Sequence, residues 1–135
     1  MNVGVVGVGV VGGACKFGFE LLGHNVSVHD IVLGTTLADE ETGLNVCFVP
    51  EFLRERCAIT DFTENHDVCI IGCSDDQTYK LIKACHGSLP EKFVRLTHAE
   101  AEFCKYFNNV YNAMLIIFAN SFYEACKLSG VNYTN

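Results

Sequence analysis

Basic residues are scarce in this 135-residue chain: nine Lys and Arg stand against 16 Asp and Glu, for a formal net charge of −7. That balance argues against nucleic acid as a partner, because binding a phosphate backbone needs cations to displace its counterions. Proline is scarce too, at two residues, and no internal repeat or low-complexity linker is visible. With 50% hydrophobic and 19% charged residues, the composition is globular and excludes disordered, collagen-like and coiled-coil classes. No run approaches the roughly 20 apolar residues that span a bilayer. Val3 to Cys15 is apolar enough for a signal peptide core, and Gly-Gly-Ala-Cys at 12–15 faintly resembles a lipoprotein cleavage site. No Lys or Arg precedes that stretch, however, and a basic leader is what orients such a segment. The expectation is a cytoplasmic protein of one domain-sized core with no membrane partner.

Metal-ligand spacing is also missing. The eight cysteines contain no CxxC pair, and the five histidines show neither HxxxH nor HExxH. The expectation is no metal, and reduced thiols that act mostly as small buried hydrophobes.

What is present is an alternation of strands and helices. Val3–Val8 is a continuous apolar run ending in glycines, as in a strand buried on both faces. A helix over Val11–Leu22 is closed by Gly23, where a left-handed residue is wanted. Asn25–His29 alternates as a second strand and leads to Asp30. Gly34–Gly43 is polar, a short helix or loop, and Leu44–Val49 is a third strand candidate. The segment from Pro50 reads as one irregular helical turn. Val68–Cys73 is a further strand, followed by a helix from Ser74-Asp75-Asp76 to about His86. After a short strand at Phe93–Leu96, Thr97 and Glu100 form a capping box for a helix from His98 to about Leu128, which Gly130 ends. This pattern predicts a doubly wound, mainly parallel α/β sheet with a long C-terminal helix. At 1.5 Å per residue that helix is about 45 Å long, more than a compact domain of this size should need. Its apolar residues, among them Phe103, Phe107, Met114, Phe118 and Phe122, exceed what a small sheet can cover. The expectation is a homodimer through the 98–128 helix.

The chemistry-bearing motif is Gly7-x-Gly9-x-x-Gly12, placed after a buried strand and opening a helix, with Asp30 ending the next strand. Gly7 permits the tight turn, Gly9 lets the backbone approach a pyrophosphate, and Gly12 lets the helix pack on the strand. Val10 and Val11 lie between them at the helix start, where free N–H groups favour phosphate. Asp30 would accept the ribose hydroxyls of NAD and disfavour NADP. The expected cofactor is NAD. A glycine-rich turn that merely packs is the structural alternative.

Three further stretches carry a resemblance. Val-Pro-Glu-Phe-Leu-Arg-Glu at 49–55 resembles the Asn-Pro-Glu-Phe-Leu-Arg-Glu-Gly motif of the UDP-glucose/GDP-mannose dehydrogenase family. Residues 101–109, Ala-Glu-Phe-Cys-Lys-Tyr-Phe-Asn-Asn, resemble its Ala-Glu-Leu-x-Lys-x-x-x-Asn helix. Val32-Leu33-Gly34-Thr35-Thr36 resembles its Pro-Gly-Thr-Thr stretch. The resemblance spans nearly the whole chain, in family order. It implies a reduced Rossmann-like cofactor domain (1–97) followed by the dimerising helix (98–135). The family oxidises a nucleotide-sugar alcohol to a carboxylate in two NAD-dependent steps through a thioester. By that resemblance Glu51 would assist thioester hydrolysis, Phe52 and Leu53 would contact the nucleotide sugar, and Thr35 and Glu55 would belong to the cofactor side. Lys105 and Asn109 would stabilise oxyanion character at the reacting carbon.

The departures from the family pattern point elsewhere. Its Gly-Gly-x-Cys-x-x-Lys-Asp nucleophile motif is missing from these residues. Val49 replaces its Asn, Arg56 its Gly and Val10 its usual Tyr, and a block near residue 30 is deleted. The family's sugar-nucleotide domain is not expected after the long helix. A thioester route needs a positioned nucleophile, so complete dehydrogenase activity is not expected of this chain alone. A truncated gene of this kind would suit a viral or phage genome. Two other functions compete: a non-catalytic interaction protein that pairs with itself or with a full-length dehydrogenase, and one part of a split enzyme.

Overall fold

A computed structural model of the chain describes residues 1–29 and 47–133. Asp30, Thr35, the 34–43 reading and residues 44–46 of the third strand candidate lie outside the described residues. The described elements form two successive β-α-β units and a long helix. β1 (Asn2–Val6), α1 (Val10–Leu21) and β2 (Asn25–His29) make the first. A 3-10 turn (Glu55–Cys57) and α2 (Ala58–Thr63) follow. β3 (Val68–Gly72), α3 (Asp76–His86) and β4 (Lys92–Leu96) make the second unit, and α4 (His98–Leu128) comes last.

Both strand pairs are parallel. Val3 lies opposite Val26 in the first, and Ile70 opposite Val94 in the second. The parallel α/β expectation holds, although among the described residues the strands form two separate two-stranded sheets. Each parallel pair needs a crossover, and α1 and α3 supply it.

Local chemistry sets the element ends. Gly7, at φ +81, stops β1 two residues short of the apolar run. Gly23, at φ +78, ends α1 in a Schellman motif. Its N–H donates to the Glu20 carbonyl (2.9 Å) and that of His24 to Phe19 (3.1 Å). Asp75 caps α3 by accepting from the Thr78 N–H at 2.7 Å. At α4 the Thr97 hydroxyl accepts from the Glu100 N–H, and the Glu100 carboxylate accepts from the Thr97 N–H at 2.8 Å. That is the predicted capping box.

One reading needs correction. The segment from Pro50 is not a helical turn: residues 50–54 are irregular, and regular structure begins only at Glu55. The short helix α2 exists because Ala58 and Phe62, one turn apart, are both buried against α1. The 44–49 strand candidate is represented among the described residues only by Phe48, in one antiparallel bridge to Gly72.

Two apolar clusters make the core. Val5, Ala14, Phe19, Ala58 and Phe62 join β1, α1 and α2. Gly18 permits this approach, since a Cβ there would sit 2.3 Å from the Phe62 ring. Cys69 and Ile71 of β3 and Cys73 just past it form the other, packed against Tyr79 and Ile82 of α3 and beside Phe93 of β4. On the opposite face of β3 Gly72 lies against Ala101 of α4, the one residue of that 31-residue helix that is fully withdrawn from solvent. Beyond it the helix is bare: Phe103, Phe107 and Phe118 are 74%, 73% and 68% exposed. The apolar surplus expected on this helix is therefore real.

Candidate functional site

The glycine segment forms the turn from β1 into α1. Gly9 is the N-cap of α1 and has no side chain to cap that end, and the first-turn N–H groups of a helix lack an intrahelical acceptor. Among the described residues a Cβ at Gly9 would meet nothing within 4 Å, so the backbone there is open to close approach. A Cβ at Gly12 would lie 1.8 Å from the Gly7 carbonyl oxygen, so here the helix is pressed directly onto the turn. The left-handed turn at Gly7 and the close helix packing at Gly12 match what was expected of those two glycines. Gly7, Gly9, Val10, Val11, Gly12 and Glu55 all border one cavity of about 1050 Å³.

A second cavity, of about 730 Å³, adjoins the first: Cys15, Phe19, Val49 and Leu53 line both. Glu51 and Phe52 border the second cavity only. The segment that carries them is clamped to α2 by Arg54. Its N–H, Nε and terminal nitrogen all donate to the Asp61 carboxylate, at 2.9, 3.0 and 2.7 Å. These bonds from Arg54 hold the Asp61 carboxyl well below the usual carboxylate range. Lys105 reaches across from α4. Its Nζ lies 2.6 Å from Glu51 Oε1, also donates to the Glu51 carbonyl, and sits over the Phe52 ring.

The structure thus brings Glu51, Phe52 and Lys105 together, with Leu53 between the two cavities. Asn109 is exposed and borders neither cavity. Asn108 and Asn112 border the second one instead, on the helix face set by Ala101 and Lys105. Their spacing from Lys105, three and seven residues on, was the signal for them. Asp30 and Thr35 lie outside the described residues, so their places in the site are not described.

No sequence motif announced the ring cluster on the other wall of the second cavity. Phe19, Phe62, His66 and His86 meet there, with His66 and His86 centroids 6.1 Å apart. Burial pushes both imidazoles below their ordinary 6.5, and the charge of His86 lowers His66 further. The Phe62 backbone carbonyl, as an acceptor, and the charge of Asp67 oppose the shift at His66, and the Ile82 carbonyl opposes it at His86. Because the folded values lie below the unfolded one, these groups contribute stability above about pH 6.5 that is lost as pH falls through the folded values. Urea denaturation at pH 7.5 and 5.5 should show lower stability at the acid value, with the loss reduced in His66→Gln. Equal losses in the two proteins would remove His66 from that account.

The thiol shared by both cavities is not poised for nucleophilic attack. Burial, then the neighbouring Glu51 charge, pushes Cys15 up to about 11, so at neutral pH it is almost wholly protonated. All eight cysteines are free, and no group of three ligating side chains could hold a metal among the described residues. No described helix is long and apolar enough to cross a membrane.

The chain is similar to several curated dehydrogenases. It is 35% identical over 95 residues to UDP-glucose 6-dehydrogenase AglM of Haloferax volcanii, a match covering 67% of this chain and 22% of that protein. GDP-mannose 6-dehydrogenase of Pseudomonas aeruginosa is 37% identical over 83 residues, 62% of this chain and 19% of that one. The Azotobacter vinelandii GDP-mannose 6-dehydrogenase is 31% identical over 112 residues, covering 78% and 25%. The chain therefore spans about a fifth to a quarter of the length of these relatives. In structure it matches a crystallised ternary complex of GDP-mannose dehydrogenase from Pseudomonas aeruginosa with a TM-score of 0.80 at 18% identity. That match covers 98% of this chain and 54% of the other, and it shows a dehydrogenase Rossmann fold. No family model matches the chain.

Proposed function

For a chain homologous to the UDP-glucose/GDP-mannose 6-dehydrogenases, we propose an NAD-binding protein of the nucleotide-sugar dehydrogenase type, with the pyrophosphate held on the Gly7–Gly12 turn. The observation that carries this reading is the geometry of that turn. Gly7 is left-handed, Gly9 leaves open space, and Gly12 seats the uncapped helix on the turn at the edge of a large cavity. Residues that fit a dinucleotide in this way supply N–H donors and a helix dipole to its phosphates. Bound there, the cofactor would supply hydride acceptance.

The adjoining cavity supports a nucleotide-sugar site. Phe52 and Leu53 offer apolar contact, while Glu51 and Lys105 form a charged pair beside them. In this pair Lys105 orients the Glu51 carboxylate and keeps a positive charge near any oxygen entering the cavity. The chemistry proposed for this chain alone stops short of full two-step oxidation, since these residues contain no positioned thiol nucleophile and Cys15 stays protonated. A full-length dehydrogenase is the partner class that would complete it.

Calorimetric titration with NAD tests the cofactor reading. Wild type should give saturable heat at one site per chain. Gly9→Val should lose at least tenfold in affinity with unchanged circular dichroism, because its side chain enters open space that the phosphate would occupy. Equal affinity in the two proteins would remove the glycine turn from the reading.

The bare face of α4 supports a two-fold homodimer, the helix of one copy packing on that of the other. An apolar stripe of this extent on a solvated monomer is unusual, and a 31-residue helix offers about 45 Å of contact length.

A further inference from the structure

Cys47 and Cys73 are placed by the backbone for a bond between them. Phe48 and Gly72 exchange both backbone hydrogen bonds, at 2.9 and 2.8 Å, as an antiparallel pair. The next pair outward in that register is Cys47 opposite Cys73. In an antiparallel ladder the pair flanking a hydrogen-bonded one is non-hydrogen-bonded, with Cα atoms about 4.5 Å apart and side chains on one face. That separation lies within the range disulfides use, about 4.4–6.8 Å. The side chains agree with the register. Ile71 and Cys73 share a face of β3, and Cys47 and Val49 pack against that same face. Cys73 is itself held in line with β3, since its N–H donates to the Leu96 carbonyl at 3.1 Å.

We propose that Cys47 and Cys73 form a reversible cross-strand disulfide when the chain meets an oxidised low-molecular-weight thiol such as glutathione disulfide. Cys47 also lines the glycine-turn cavity, which gives a small disulfide access to it, whereas Cys73 is only 3% exposed. The Cys47 thiol loses its proton to solvent, and its thiolate attacks one sulfur of glutathione disulfide. A mixed disulfide forms and one glutathione leaves. Cys73 then loses its proton to solvent and its thiolate attacks the Cys47 sulfur, releasing the second glutathione, and each released thiolate takes up a proton. In sum two protein thiols are oxidised and one glutathione disulfide is reduced.

Burial, the neighbouring Cys73 and Asp75 raise the Cys47 thiol above its ordinary range, so exchange is slow at neutral pH. The closed bond would tie the segment leading into Glu51–Leu53 to the end of β3, and so stiffen the wall shared by the two cavities. The proposal rests on the Cys47–Cys73 register and not on NAD binding at the glycine turn.

The test is non-reducing peptide mapping. The reduced full chain is incubated with excess glutathione disulfide, its remaining thiols are alkylated, and the digest is read by mass spectrometry. Wild type and Cys69→Ser should both give the linked 47–73 peptide. Cys73→Ser should lose it and hold Cys47 as a stable glutathione adduct. Wild type in which Cys47 remains a glutathione adduct, is alkylated, or is linked to any other cysteine overturns the proposal. Should Cys73→Ser fail to fold, the wild-type map alone decides.

Discussion

Gly12→Ala should destabilise the fold by about 3 kcal/mol or more, the upper end of what overpacking costs. The new Cβ would lie 1.8 Å from the Gly7 carbonyl oxygen and 2.9 Å from its carbon. Those are backbone atoms of a turn whose φ of +81 is already set by glycine, so no side chain can move aside. Relief requires lifting α1 off β1, which opens the cluster of Val5, Ala14 and Phe19. Gly13→Ala is the matched comparison, because a Cβ there meets nothing within 4 Å. In a helix interior that change is ordinarily favourable by about 1 kcal/mol. Urea denaturation of the two variants should therefore give shifts of opposite sign. A Gly12→Ala protein as stable as wild type would mean that the close seating of α1 on the turn is wrong. The functional reading depends on that seating, since it aims the uncapped helix end into the cavity.

Phe118→Asp should convert a dimer to a monomer with no loss of helix. Phe118 is 68% exposed in the single chain, so a carboxylate there remains hydrated when the chain is alone. In a two-fold pairing through α4 it would be withdrawn from water without a partner, at a cost of several kcal/mol per chain. Phe107, Met114 and Phe122 lie close to the same stripe. Phe118 stacks near Phe122 at 6.1 Å between centroids, so the change removes an apolar surface already assembled for contact. Light scattering of wild type and variant at equal concentration checks the prediction. A wild type that is monomeric, or a variant with unchanged mass, would rule out pairing through this helix. The non-catalytic interaction reading would then lose its main support as well.

The elements legible in advance are those fixed by neighbours a few residues away. The Thr97–Glu100 box, the left-handed stops at Gly23 and Gly130, and the Asp75 cap each concern groups within one helical turn. The glycine turn belongs with them, since the φ of Gly7 and the helix start at Gly9 are local properties. The apolar excess on α4 could be counted directly, because a helix has one period and a small sheet has limited area.

Tertiary structure decided the rest. Residues 58–63 have no strong period of their own and become α2 because Phe62 has α1 to lie on. Lys105 meets Glu51 across 54 residues, and Arg54 finds Asp61 only once the chain has turned back. The His66–His86 contact and the Cys47–Cys73 register likewise arise from separate elements brought side by side. On α4, a difference of one residue moves an amide from the cavity at Asn108 to solvent at Asn109. A helical residue turns about 100° from its neighbour, so which amide faces in depends on how Ala101 seats the helix against Gly72. The chain by itself determined where its backbone turns, caps and stops, because those energies are local. Which side chains share a cavity was left to packing, because that depends on contacts between residues far apart in sequence.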